Sequence, residues 1–256
     1  MSEEQAVLVD VADGVMTITL NRGKAKNAVN KAMAEGVAAA MDELDSNDDI
    51  RVGIITGADN TFCAGMDLKA FVTGELPMLP GRGFCGFVEA PPKKPLIAAV
   101  EGFALAGGLE VMISCDLIVA ADNAKFGIPE VKRGLAAAAG GLVRLPKQVP
   151  PRLAMEMALT GDFIDSAKAS EIGLINRVVP AGTALEGAKA LAATISANGP
   201  LAVKLSKQVI VESGDWTADN MWANQQDIVN PVFTSEDAIE GATAFAEKRA
   251  PNWKGK

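Results

Sequence analysis

Leu96-Ile97-Ala98-Ala99-Val100-Glu101-Gly102, running into Phe103-Ala104-Leu105-Ala106-Gly107-Gly108-Leu109-Glu110, is the stretch whose reading decides the fold. Five consecutive apolar residues predict a buried strand that ends at Gly102. Small side chains then give way to helix formers, which predicts a helix starting near Gly107. A helix N-terminus built of Ala and Gly leaves its backbone N–H groups bare, and bare N–H groups suit an oxygen that carries negative charge. Glu110 falls in the first turn of that helix. A second apolar run, Leu117 to Ala121, leads to Phe126-Gly127-Ile128-Pro129-Glu130, which sets a second carboxylate in a tight turn. Two glutamates beside an oxyanion-type donor point to proton chemistry next to a carbonyl.

The rest of the chain narrows the choice. Its 256 residues suffice for one large domain, or one domain with an appendage. No apolar run reaches the roughly 18 residues that cross a bilayer. The acidic start, Met1-Ser2-Glu3-Glu4-Gln5, lacks the basic and apolar regions of an export signal, so a cytoplasmic protein is expected. Cys63, Cys85 and Cys115 are odd in number and lack CxxC spacing, which predicts free thiols and no metal site. A net charge of −8 excludes a general nucleic-acid binder. There is no histidine and no tyrosine, so the Ser-His-Asp triad, the Cys-His pair and histidine-bound zinc are all ruled out. A general base must be Asp, Glu, Lys or Cys.

Working outward, Val7 to Val11 and Val15 to Leu20 alternate around Asp13-Gly14 and predict a hairpin. The loop Asn21 to Asn27 carries Arg22, Lys24 and Lys26. From Asn30, a candidate N-cap, Met33, Val37, Met41 and Leu44 recur at helical spacing. Val52 to Thr56 is a short buried strand, so strand, helix, strand is the repeating unit. Residues 73–95, rich in Gly and Pro, predict a loop with a short helix around Phe84 to Val88. Arg133 to Gly141 is nearly all Ala and Gly and predicts a close approach, to a helix or to a ligand with equal weight. Helices are predicted from Pro151 through Leu159 and from Ser166 to Gly173, then a last strand from Ile175 to Val179. The final third is helical, with breaks at Gly199-Pro200, Gly214 and Asn230-Pro231. Residues 1–198 are therefore read as the core and 199–256 as a helical region. Trp216, Trp222, Phe233 and Phe245 exceed what so small a region buries by itself, which predicts packing against another subunit.

Phe62-Cys63-Ala64-Gly65-Met66-Asp67-Leu68, Gly102 to Glu110, Cys115-Asp116 and Phe126 to Glu130 together resemble the ordered motifs of the crotonase (enoyl-CoA hydratase/isomerase) family. The resemblance runs from Leu20-Asn21-Arg22 to Ala244-Phe245-Ala246-Glu247-Lys248-Arg249. It implies an α/β fold, a spiral of ββα units with a C-terminal helical region that forms trimers, often paired into hexamers. It implies an acyl-CoA substrate, with coenzyme A part of that substrate and no separate cofactor. It places an oxyanion hole on the backbone N–H groups of Met66 and Gly107. Fixed donors in a dry site stabilise an oxyanion by roughly 3–4 kcal/mol each. By the same resemblance Glu110 and Glu130 hold and activate a water, with Glu130 the principal acid/base and Glu110 its partner. Substrate and coenzyme A contacts fall on Lys24, Ala25, Ala64, Asp67, Leu68 and Lys69, with Arg22 and Lys26 in the same loop. Phe245 and Lys248 reach toward the adenine end from a neighbouring subunit.

Retention of both glutamates favours water addition over double-bond isomerisation, since hydration needs both a base for the water and a proton for Cα. Two features depart from the usual hydratase pattern. Ala137-Ala138-Ala139-Gly140-Gly141 stands where many hydratases read Pro-Gly-Ala-Gly-Gly, and Ser235 through Gly255 resembles the carnitinyl-CoA dehydratase branch. Dehydration or isomerisation of a decorated acyl-CoA is thus an alternative, and non-catalytic acyl-CoA binding is another. A dinucleotide-binding oxidoreductase is excluded, because Ala106-Gly107-Gly108 is not G-x-G-x-x-G.

Overall fold

The computed structural model describes residues 5–256. The acidic start that bears on export therefore lies, except for Gln5, outside the described residues. A hairpin of β1 (Val7–Ala12) and β2 (Val15–Leu20) opens the chain, paired Val7 to Leu20 through Ala12 to Val15. Helix α1 (Lys31–Ser46) follows, its N-terminus capped by Asn30, whose side chain accepts from the Met33 amide. Met33, Val37, Met41 and Leu44 lie on its buried face, so the 3.6-residue periodicity is a packing seam. Then come β3 (Val52–Gly57), α2 (Leu68–Val72), β4 (Met78–Leu79), β5 (Gly83–Phe84), β6 (Leu96–Val100) and β7 (Phe103–Leu105). Next are α3 (Gly107–Met112), β8 (Leu117–Ala121), β9 (Lys125–Gly127) and a 3-10 turn, Pro129–Arg133. Helices α4 (Gly141–Gln148) and α5 (Pro151–Thr160), strand β10 (Ile164–Asp165), helix α6 (Ser166–Glu171) and strand β11 (Arg177–Val179) complete the sheets.

The main sheet has the order β1-β2-β3-β6-β8-β11, antiparallel in the hairpin and parallel from β2 onward. Its central strands read as unbroken apolar runs because both faces are covered. Val52, Ile54, Ile97, Ala99 and Val119 face α7 (Ala184–Ser196), which presents Ala184, Ala188 and Ala192. Ile55, Leu96, Ala98, Val100, Ile118 and Ala120 face the larger core with α1, Phe62, Phe87 and Phe126. A second sheet, β10-β9-β7, stacks beyond the first and supplies the strand that feeds α3.

Two expectations change. No helix forms over Phe84 to Val88: a small hairpin of β4 and β5 ends at Phe84 and the chain then turns, and Gly83, Cys85 and Gly86 all take positive φ, which a right-handed helix cannot accommodate. A Cβ on Gly86 would sit 2.2 Å from the Ala34 carbonyl oxygen, so this loop presses directly on α1. The helical region contains α8 (Pro200–Glu212), α9 (Met221–Phe233) and α10 (Glu236–Glu247), and α9 runs through Pro231 instead of breaking at it. Pro231 sits in the last turn, where its missing N–H removes a single hydrogen bond.

Lys207 of α8 ties this region to the core. Its ammonium donates to Asp116 Oδ2 at 2.6 Å, to Pro92 O at 2.7 Å and to Lys94 O at 2.9 Å. Asp116 Oδ2 also accepts from the Leu96 amide, at the start of β6. Trp222, Phe233 and Phe245 remain 69%, 74% and 87% exposed, so the helical region does not cover them itself.

Candidate active site

Three backbone segments converge on the site. Cys63 donates its amide to Phe103 O at 2.8 Å and accepts from Leu105 N at 3.0 Å, so the segment around Gly65 runs beside β7. Val29 N donates to Gly65 O at 2.8 Å and pins the same segment from the other side. Gly65 has φ +103°, and a Cβ there would lie 2.8 Å from Ala106 Cβ and 3.2 Å from Gly107 N. Only glycine allows that conformation and that approach together. Ala106 takes φ 53°, ψ −129°, a strained entry to α3 that turns the Gly107 amide out of the strand. Among the described residues, neither the Met66 amide nor the Gly107 amide donates to any protein acceptor.

Both amides border a cavity of about 490 Å³, whose wall includes Ala64, Met66, Leu68, Phe103, Ala106, Gly107, Glu110 and Glu130. The rest is mainly apolar, with Met78, Phe84, Leu135, Ala138, Ala139 and Phe163. The Ala and Gly run after Glu130 makes the close helix contact and also borders the cavity. Ala136, Ala138 and Ala139 line the cavity, while Gly141 packs on Glu110.

Glu110 is almost wholly buried, and its Oε1 accepts from the Gly141 amide at 2.8 Å. Burial raises its carboxyl, the Gly141 amide lowers it and the charge of Glu130 raises it again, with a net result of about 7. Glu130 sits on the 3-10 turn with its Oε2 buried and without any hydrogen-bond partner. Burial raises its carboxyl too, opposed by its own backbone amide and by Arg133. Glu110 and Glu130 thus face one cavity, and the charge of Glu130 is among the causes that raise the Glu110 carboxyl, which favours a proton on Glu110.

The other predicted residues divide. Ala64, Leu68 and Lys26 are on the wall, and Lys26 Nζ also lies 5.3 Å from the centre of the Phe103 ring. Lys24, Ala25 and Lys69 are near in sequence but do not line the cavity. Asp67 is turned away from it: its carboxylate caps α2 through the amides of Lys69 and Ala70 and pairs with Arg22 at 2.8 Å. Partial burial raises that carboxyl, and Arg22 with the two amides more than offsets it, leaving Asp67 below the ordinary range. Phe245 and Lys248, at the end of α10, are not on the cavity of their own chain. Sequence reasoning missed Gly141 as the donor to Glu110, and Arg133 as a wall residue. Arg133 had one available signal, its position three residues past Glu130; Gly141 had none, because its contact spans 31 residues of chain.

The architecture is that of the crotonase-like α/β proteins. A family model described as enoyl-CoA hydratase/isomerase matches residues 10–256, and the chain belongs to that family. An enoyl-CoA hydratase of Mycobacterium tuberculosis (strain ATCC 25618 / H37Rv) is 44% identical, over 97% of this chain and 96% of the relative. A carnitinyl-CoA dehydratase of Proteus mirabilis (strain HI4320) is 37% identical, over 98% of this chain and 99% of the relative. Among solved structures, an enoyl-CoA hydratase from Mycobacterium tuberculosis H37Rv matches with a TM-score of 0.97 at 57% identity, covering 99% of this chain and 100% of that one.

Proposed function

We propose that the protein is an enoyl-CoA hydratase, a hydro-lyase that reversibly adds water across the double bond of a trans-2-enoyl-CoA thioester. The observation that carries this reading is the pairing of two unoccupied amides with two carboxylates on one largely apolar cavity. The thioester oxygen accepts from the Met66 and Gly107 N–H groups. As hydroxide character adds to Cβ, electron density moves through Cα to that oxygen, and the two donors stabilise the charge where it develops. Glu110 and Glu130 hold the water between them. One carboxylate takes a proton as the C–O bond forms, and the protonated partner supplies the proton to Cα; dehydration reverses these roles. The apolar wall excludes other water and strengthens each of these interactions.

The reaction calls for no cofactor, because coenzyme A arrives with the substrate. The exposed Trp222, Phe233 and Phe245 support packing against another subunit, and the family resemblance implies a homotrimer, alone or paired as a dimer of trimers. Among the described residues no helix is long and apolar enough to cross a membrane. The test is hydration of crotonyl-CoA, followed as loss of the absorbance of the conjugated thioester. Glu130→Gln is expected to lower kcat by about 10²-fold or more. Equal rates for variant and parent would overturn the assignment.

A further inference from the structure

Among the described residues, Phe84 is the one aromatic or long aliphatic side chain on the cavity wall that is buried. Leu68, Met78 and Phe163, on the same wall, are exposed, as are the charged Lys26 and Arg133. The cavity is therefore polar toward solvent and apolar in its depth, where Phe84 stands. The ring also reaches an oxyanion donor: a Cβ on Gly107 would lie 2.6 Å from Phe84 Cζ and 2.7 Å from its Cε1. A thioester held by the Gly107 amide thus has this ring beside its acyl chain.

The ring has no room to withdraw. Phe84 pairs with Met78 in the β4–β5 hairpin, and the turn that follows presses Gly86 against the Ala34 carbonyl of α1. Arg82, just before Phe84, pairs with Asp42 of α1, and Arg144 of α4 donates to Val88 O at 2.6 Å. A segment braced on two helices in a close-packed interior does not open for a longer ligand without losing those contacts. Ala138 and Ala139, by contrast, put only methyl groups on the wall. The length of chain that fits is set by the ring and not by the alanine run.

We infer that Phe84 is a specificity-determining residue, a fixed stop that restricts the cavity to enoyl-CoA thioesters with a short apolar acyl chain. The inference rests on the hydratase reading and deepens it by naming the substrate class. Replacing the ring by a smaller side chain opens space in line with the chain, and an apolar pocket discriminates about 10-fold or more for each methylene that fits or fails to fit.

The experiment measures kcat/KM for crotonyl-CoA and for trans-2-decenoyl-CoA in the full-length protein, Phe84→Leu and Phe84→Ala. The parent is expected to prefer crotonyl-CoA, and the decenoyl-to-crotonyl ratio to rise by about 10-fold or more in Phe84→Ala, with a smaller rise in Phe84→Leu. Phe84→Leu keeps a branched side chain against Gly107 and carries the test if the alanine variant does not fold. A ratio unchanged in the variants, with both substrates slowed equally, would mean that Phe84 only backs the Gly107 amide, and overturns the proposal. A parent that turns over the two thioesters equally well overturns it too. Binding of the saturated butyryl-CoA and decanoyl-CoA, read by calorimetry, separates this from the hydratase reading. Tighter decanoyl-CoA binding in the variants, with butyryl-CoA binding not tightened, supports the stop even if the parent hydrates neither enoyl thioester, a result that would count against the function alone. Unchanged relative binding counts against Phe84.

Discussion

Gly65 and Ala106 touch across the mouth of the site: a methyl group on Gly65 would lie 2.8 Å from Ala106 Cβ. This contact sets the separation of the Met66 and Gly107 amides, since each is the next residue along its own segment. Gly65→Ala is therefore expected to spread the two donors while the distant core stays intact, with added strain because φ at this position is +103°. Losing the alignment of one donor predicts a fall in kcat of about 10²- to 10³-fold, with a smaller change in KM. Steady-state kinetics on crotonyl-CoA with a circular dichroism control checks this; a variant that binds weakly but turns over at the parental rate would contradict it.

Glu110 makes stability depend on pH. Its folded-state carboxyl titrates at about 7, against an ordinary value of 4.5. The folded form thus binds the proton more tightly than the unfolded form. The group's contribution is fully present below pH 4.5 and is lost as pH rises through about 7. Glu110→Gln keeps an acceptor for the Gly141 amide but cannot ionise. It is expected to be more stable than the parent at pH 8 by about 3 kcal/mol as an order of magnitude, and equal to it near pH 4.5. Urea unfolding at the two pH values measures this, and a constant difference between them would refute ionisation of Glu110 as the cause.

Lys207 and Asp116 form a part-buried ion pair, with side-chain exposures of 13% for Lys207 and 22% for Asp116. Removing one partner leaves Asp116 without its cation in a site where burial already raises its carboxyl. Lys207→Met is expected to destabilise the protein by about 3 kcal/mol, and the double variant with Asp116→Asn to recover part of that loss. A double-mutant cycle in urea reports the coupling, which near zero would mean that Lys207 acts through the Pro92 and Lys94 carbonyls and not through Asp116.

The parts of this fold that are legible in the sequence are those where one local rule acts alone. The face of α1 follows from Met33, Val37, Met41 and Leu44, and its start from the Asn30 side chain. The central strands follow from apolar runs that only a doubly covered sheet tolerates. Glu110 and Glu130 stand out through ordered motifs, because each sits at a turn whose glycines and proline mark it. What stays hidden depends on contacts distant in sequence or on backbone sign. The positive φ of Cys85 cannot be read from a cysteine, and it puts a turn where a helix is expected. Asp67 reads as a ligand contact in its own segment, but the fold brings Arg22 to it from 45 residues away in the chain.

The helical region offers a last expectation. Phe233 at the end of α9 and Trp222 near its start are 74% and 69% exposed, and Ile239 on α10 is 69% exposed. Side chains of this size left in water as a group mark a surface that a partner covers. If that partner is a second copy, a charge placed in the patch is buried without a counter-ion on assembly, which costs several kcal/mol per interface. Phe233→Asp is thus expected to convert the trimer or hexamer to monomer, read as mass by light scattering, with the folded core retained by circular dichroism. A monomeric parent would remove the premise, and an unchanged assembly in Phe233→Asp would place the subunit contact on another face.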